Sequence, residues 1–99
     1  MIRVLLADDE GMIRSALAAL LGLEEDIDTI ATCADGTEAV AEALRLKPDI
    51  CLLDLEMPGL DGVEVAERLR NAGAGRCIVV TRHARRGVPH QFADALEVG

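Results

Sequence analysis

Aromatic residues are almost missing: Phe92 is the one phenylalanine, and there is no Trp and no Tyr among 99 residues. A core built from this chain is therefore aliphatic, and its surface offers no platform on which unpaired bases could stack. Lysine is nearly as scarce. Lys47 is the single one, and the ten basic residues stand against eighteen acidic ones for a net charge of −8. Such a chain repels phosphate backbones, so direct contact with DNA or RNA is not expected. Long apolar runs are also lacking, since Val4 to Ala7 and Cys51 to Leu53 fall far short of the ~20 residues of a membrane span. The start, Met1-Ile2-Arg3, leads straight into a strand-like segment without the charged, apolar and small-residue regions of a secretory signal, which points to the cytoplasm. Cys33, Cys51 and Cys77 are odd in number, lack CxxC spacing and sit in or at the end of apolar runs. They read as reduced, buried thiols and exclude a disulfide framework. The length itself allows one small core and no second catalytic domain.

What is present is an alternation of strand and helix signals. Ile2 to Ala7 is a nearly continuous apolar run, the pattern of a strand buried on both faces, and it ends in Asp8-Asp9-Glu10. Met12 to Leu23 places Ile13, Leu17, Leu20 and Leu21 at helical spacing, with Gly22 as a stop signal. Ile27 to Cys33 reads as a second strand. Asp35-Gly36-Thr37-Glu38 has the form of a capping box and opens a helix through Lys47, which Pro48 ends. Asp49 to Asp54 repeats the first strand's design, an apolar run ending in an acid. Asp61-Gly62-Val63-Glu64 opens a third helix through Asn71, and Gly73 to Gly75 turn the chain into a strand over Cys77 to Thr81. Arg82 to Gly87 reads as an exposed basic loop, and Val88 to Val98 as a last helix with Pro89 in its first turn. Strands alternating with helices imply right-handed crossovers and a parallel, doubly wound α/β sheet.

Two such strands side by side would bring Asp8, Asp9 and Asp54 together beyond their C-terminal ends, where open α/β sheets bind ligands. Bare carboxylates at close range repel one another, and hard oxygen donors around an open position suit an Mg²⁺ ion that keeps several waters. Thr81 would add a hydroxyl at the end of a neighbouring strand. Met57-Pro58 reads as loop shaping, His83 and His90 as surface residues, and Arg14, Arg68 and Arg70 as members of solvated ion pairs of little energetic weight.

Leu6-Ala7-Asp8-Asp9-Glu10, then Leu52-Leu53-Asp54-Leu55-Glu56-Met57-Pro58-Gly59-Leu60-Asp61-Gly62, then Val79-Val80-Thr81, resemble the receiver domain of two-component response regulators, the CheY-like fold. The likeness runs from about Ile2 to Gly87, with residues 88–99 matching weakly. The segments around Asp8-Asp9-Glu10 and Thr81-Arg82-His83-Ala84-Arg85 further resemble receivers of the NarL/FixJ type, which precede a helix-turn-helix transcriptional output domain. The resemblance implies a flavodoxin-like sheet of order 2-1-3-4 and a module that signals and is not a conventional enzyme. It implies a phosphoryl group passed from a sensor histidine kinase to Asp54, with Asp9, Asp54 and the backbone carbonyl of Glu56 holding Mg²⁺ and Asp8 acting largely through a metal-bound water. Thr81 would then be the switch hydroxyl that meets the phosphoryl oxygen.

The chain departs from that family in its last third. A complete receiver continues into a fifth strand bearing a phosphate-binding Lys and an aromatic switch residue, then a final helix, and none of these is legible after Gly87. The reading is therefore of a truncated receiver spanning residues 1–99 without its output domain. Its strand 4 would be an open edge through which two copies pair or exchange segments. Two other readings stay open: a domain of the same fold that has lost switching and serves only interaction, and an aspartyl-phosphate phosphohydrolase. The second lacks the Asp-x-Asp that class carries on its first strand.

Overall fold

The computed structural model describes residues 1–81 and 94–98. Strand β1 (Ile2–Ala7) is followed by α1 (Gly11–Leu21), β2 (Ile27–Cys33), α2 (Gly36–Leu46), β3 (Ile50–Asp54), α3 (Gly62–Ala72), β4 (Arg76–Thr81) and β5 (Asp94–Val98). The sheet runs in the order β2-β1-β3-β4-β5, its first four strands parallel. The order 2-1-3-4 is the one expected, and from β1 to β4 each expected boundary falls within two residues of the observed one.

The local signals account for the helix ends. Asp35 accepts the Glu38 amide at 2.7 Å and opens α2, while Asp61 and Glu64 complete a reciprocal capping box at the start of α3. Gly73 closes α3 in the left-handed conformation, φ 66°. At the end of α2 the same role falls to Lys47, φ 52°, ahead of Pro48. Lys47 sits at the N-terminal end of the strands, where its carbonyl accepts the Arg3 guanidinium at 3.0 Å.

Period-two alternation divides the strands between two layers. Leu5, Ala7, Cys33, Cys51, Leu53, Cys77 and Val79 face α2 and α3 and pack with Ala39, Ala43, Val65, Ala66 and Leu69 into one core. Val4 and Leu6 point the other way and are also buried. On that second face α1 covers the sheet only in part, none of its residues being fully buried. A cavity of about 210 Å³ remains between Ile13 and Leu17 of α1 and Leu6, Leu52 and Val80 of the sheet.

The end of the chain corrects two expectations. Asp94–Val98 is a strand and not part of a helix, and it runs antiparallel to β4, with Cys77 opposite Val98 and Thr81 opposite Asp94. The outer edge of β4 is therefore already hydrogen-bonded, which removes the basis for pairing or segment exchange of two copies through an open β4. The reason is that an edge strand offers a row of donors and acceptors to any extended segment in reach. Ala95-Leu96-Glu97-Val98 has the period-two pattern to take it, and a return from the end at which β4 finishes needs no crossover. The parallel fifth strand of a complete receiver is not the one seen here. The expected basic loop, the start of the last helix, and His83 and His90 lie outside the described residues.

The three cysteines are free and buried, as expected. Burial, reinforced by Glu38, Glu42 and Asp35, pushes the Cys33 thiol up from 9.0 to about 12, and the Cys51 thiol is raised by its hydrogen bond with Cys77 and by burial. In the unfolded chain Cys33 would ionise near 9, so its contribution to stability is complete below that pH and is lost as pH climbs toward 12. With no tyrosine and one lysine in the chain, few other groups titrate there. Denaturant unfolding followed by circular dichroism should show stability falling above pH 9, by roughly 1.4 kcal/mol per pH unit for the Cys33 thiol. A Cys33→Val variant should show a shallower fall, and identical slopes in the two proteins would contradict this account.

Candidate functional site

The C-terminal ends of β1 and β3 lie side by side, in register from Val4 with Ile50 to Ala7 with Leu53. The residues that follow this register are acidic on both strands. Asp8 and Asp54 are 3 % and 5 % exposed, the two buried charged residues of the described chain, and Asp9 is exposed. One carboxylate oxygen from each of Asp8, Asp9 and Asp54 lies within 4.8 Å of the others. The juxtaposition expected from the sequence is thus present. The apolar cavity beneath α1 reaches Asp8 and Asp54, so these two carboxylates stand between an aliphatic floor and solvent.

The β1–α1 turn is built by short-range bonds. The Asp8 amide donates to the Cys33 carbonyl at 3.0 Å, the Glu10 amide donates to Asp8 Oδ1 at 2.9 Å, and Arg14 Nη1 donates to the Asp8 carbonyl at 2.7 Å. Arg14 therefore departs from its sequence reading. It is half-buried, its helix carries no acid, and it bonds to the acidic turn in place of a solvated ion pair. No residue spacing signalled this role, although an arginine alone among uncharged neighbours on a helix was a hint.

The loop after β3 carries Glu56, exposed and two residues past Asp54. Glycines hold this loop against two helix starts. The Gly62 amide donates to the Leu55 carbonyl at 2.9 Å, and a Cβ on Gly62 would stand 2.5 Å from the Asp54 carbonyl oxygen. The Gly36 amide donates to the Pro58 carbonyl at 3.1 Å, and a Cβ there would stand 1.8 Å from the Leu60 carbonyl oxygen. Thr81 closes β4 one residue beyond Val80, which is the register partner of Asp54, so its backbone stands beside the acidic end of β3.

Chemically, the three acids form an all-oxygen donor set, suited to a hard divalent cation that keeps part of its water shell. Two direct ligands of Mg²⁺ stand no more than about 4.2 Å apart, twice the metal–oxygen distance. A cluster of carboxylate oxygens lying within 4.8 Å of one another is of a size for such an ion to bridge. The residues present fit the metal.

The family model described as the response regulator receiver domain matches residues 4–99. The chain is 41 % identical over 100 residues to the transcriptional regulatory protein YvfU of Bacillus subtilis, covering all of this chain and 48 % of that protein. It is 36 % identical over 98 residues to a protein-glutamate methylesterase/protein-glutamine glutaminase of Koribacter versatilis, covering 99 % of this chain and 27 % of that enzyme. The signal receiver domain of NarL from Mycobacterium tuberculosis superposes with a TM-score of 0.81 at 29 % identity, over 86 % of this chain and 69 % of that one. The chain spans about half the length, or less, of the curated relatives it matches. Among the described residues no helix is long and apolar enough to cross a membrane.

Proposed function

This chain belongs to the response regulator receiver domain family, and from that premise we propose that it accepts a phosphoryl group from a sensor histidine kinase on Asp54. Mg²⁺ would be held by Asp9, Asp54 and the Glu56 backbone carbonyl, with Asp8 acting through water. The observation that carries this reading is the meeting of Asp8, Asp9 and Asp54 within 4.8 Å at the ends of adjacent parallel strands.

In the transfer, an Asp54 carboxylate oxygen bonds to phosphorus while the bond from phosphorus to the donor imidazole nitrogen breaks. That nitrogen keeps the electron pair, and the donor leaves as a neutral imidazole once protons equilibrate with water. Charge in the loose transition state gathers on the three equatorial phosphoryl oxygens, so the site's task is alignment and neutralisation. The bound metal supplies neutralisation. The chain's own residues do the rest: β1 and β3 hold the carboxylates in line, the glycine-packed loop sets the Glu56 carbonyl, and the Thr81 hydroxyl donates to a phosphoryl oxygen of the product. The modified receiver then governs an output domain that these 99 residues do not include, transcriptional as in the regulator relatives.

Incubation with Mg²⁺ and a small phosphodonor such as acetyl phosphate tests this by intact mass. The parent should gain one phosphoryl group and Asp54→Asn none; equal gain in both, or none in the parent, would reject the assignment.

One observation favours a second reading, a receiver fold that serves interaction without switching. The chain's only lysine, Lys47, stands at the opposite end of the sheet from the acids, so no lysine of this chain is available to read the phosphoryl group. Under that reading the parent gains the phosphoryl group or binds Mg²⁺, yet amide exchange along β4 stays unchanged.

A further inference from the structure

The start of α1 differs from the starts of α2 and α3. Those two helices are capped by Asp35 and Asp61, whereas the N-cap residue of α1, Glu10, makes no side-chain cap. An uncapped first turn ordinarily frays relative to a capped one. Here the turn is held from elsewhere. Arg14, one helical turn in, bonds through its own amide to the Glu10 carbonyl at 2.9 Å and through Nη1 to the Asp8 carbonyl at 2.7 Å. The Asp8 carboxylate in turn accepts the Glu10 amide. Asp9 therefore sits between two residues whose backbones are tied down, the Asp8 carbonyl by the Arg14 side chain and the Glu10 carbonyl by the ordinary helical bond from the Arg14 amide.

We propose that Arg14 is a positioning residue for the acidic site, holding the Asp8–Glu10 turn so that the exposed Asp9 carboxylate is presented to Asp54. This rests on the Mg²⁺ reading given above. The physical basis is that a carboxylate whose backbone is already ordered loses less conformational freedom when it takes a metal, and outer partners of metal ligands set affinity in this way. A guanidinium suits the task because its charge does not titrate and its planar donors have a fixed direction, while an ammonium lacks that fork.

Two opposite effects of the same residue can be separated. Through space, the positive charge of Arg14 disfavours a cation nearby, so removing it on electrostatic grounds alone would tighten Mg²⁺ binding. Removing a positioning bond loosens the site and weakens binding. Calorimetry with Mg²⁺ alone, on the parent, R14M and R14K, distinguishes them. Positioning predicts about 10-fold weaker binding in R14M, as for loss of an outer-shell partner, and a smaller loss in R14K, which keeps the charge without the fork. A metal-free readout accompanies it: hydrogen exchange at the Glu10 amide should be faster in both variants, while exchange in β3 and α3 stays as in the parent.

Unchanged or tighter Mg²⁺ binding in R14M, or a Glu10 amide that exchanges as slowly in R14M as in the parent, would overturn the proposal. Should the parent itself take up no Mg²⁺, the functional reading fails. The exchange rate of Glu10 then still decides whether Arg14 holds the turn.

Discussion

Replacing Asp54 by Asn should make the metal-free protein harder to unfold and at the same time remove most of the stabilisation that Mg²⁺ provides. Both effects arise from the same three carboxylates, drawn within 4.8 Å of one another, two of them nearly sealed from water. A pair of charges at that separation repels by about 3 kcal/mol at an effective dielectric near 20. Exposure of Asp9 and the surrounding donors reduce what is measured, so a net gain of about 1 to 2 kcal/mol is expected for removing one charge. In a domain of this size that gain raises the melting temperature by roughly 4 to 8 °C per kcal/mol. With metal the order reverses. A cation that binds only the folded state stabilises by about 2.7 kcal/mol at a hundred times its dissociation constant. Asp54→Asn, one ligand short, collects only part of this. Melting curves recorded with rising Mg²⁺ should therefore cross. Parallel curves, or a metal-free variant less stable than its parent, would show that the site does not store repulsion in this way.

Gly36→Ala should be among the most damaging single-methyl changes in the molecule. The added carbon would fall 1.8 Å from the Leu60 carbonyl oxygen and 2.6 Å from its carbon, both backbone atoms with no rotamer to yield. Helix α2 must retreat from the loop, and the Gly36 amide then loses the Pro58 carbonyl it now meets at 3.1 Å. Overpacking of this kind costs about 1 to 3 kcal/mol, and the lost hydrogen bond adds about 1 kcal/mol. The expected fall in melting temperature is about 8 to 30 °C at the slope for small domains. Mg²⁺ affinity should fall with it, since the displaced loop carries Glu56. Gly73→Ala is the control: a Cβ there meets nothing within 4 Å, so only the left-handed backbone at φ 66° resists it, at about 1 to 2 kcal/mol. Equal losses in the two variants would show that backbone conformation, and not the α2–loop contact, governs Gly36.

These contrasts mark how far a linear reading reaches. The helix starts at Asp35 and Asp61, the stops at Gly22 and Gly73, and the buried strands ending in acids were all legible, because each depends on residues within a few positions of one another. That the strands run parallel followed from the strand–helix alternation, and their order 2-1-3-4 from the receiver resemblance. Together these brought Asp8, Asp9 and Asp54 to one end of the sheet. The direction of β5 was not legible, because Asp94–Val98 takes its conformation from the free edge of β4. The role of Arg14 was hidden for a similar reason, since a guanidinium chooses its partner by where the chain places a carbonyl and not by charge spacing.

The sequence by itself determined the aliphatic core, the parallel α/β sheet and the carboxylate cluster, since hydrophobic period and strand-end chemistry are properties of neighbouring residues. Only the tertiary structure decided which atoms hold that cluster in place: Arg14 on the Asp8 carbonyl, Gly36 against Leu60, and β5 along β4. Each of these joins groups whose separation along the chain says nothing of their distance in space, and hydrogen bonds and steric contacts are decided within a few tenths of an ångström.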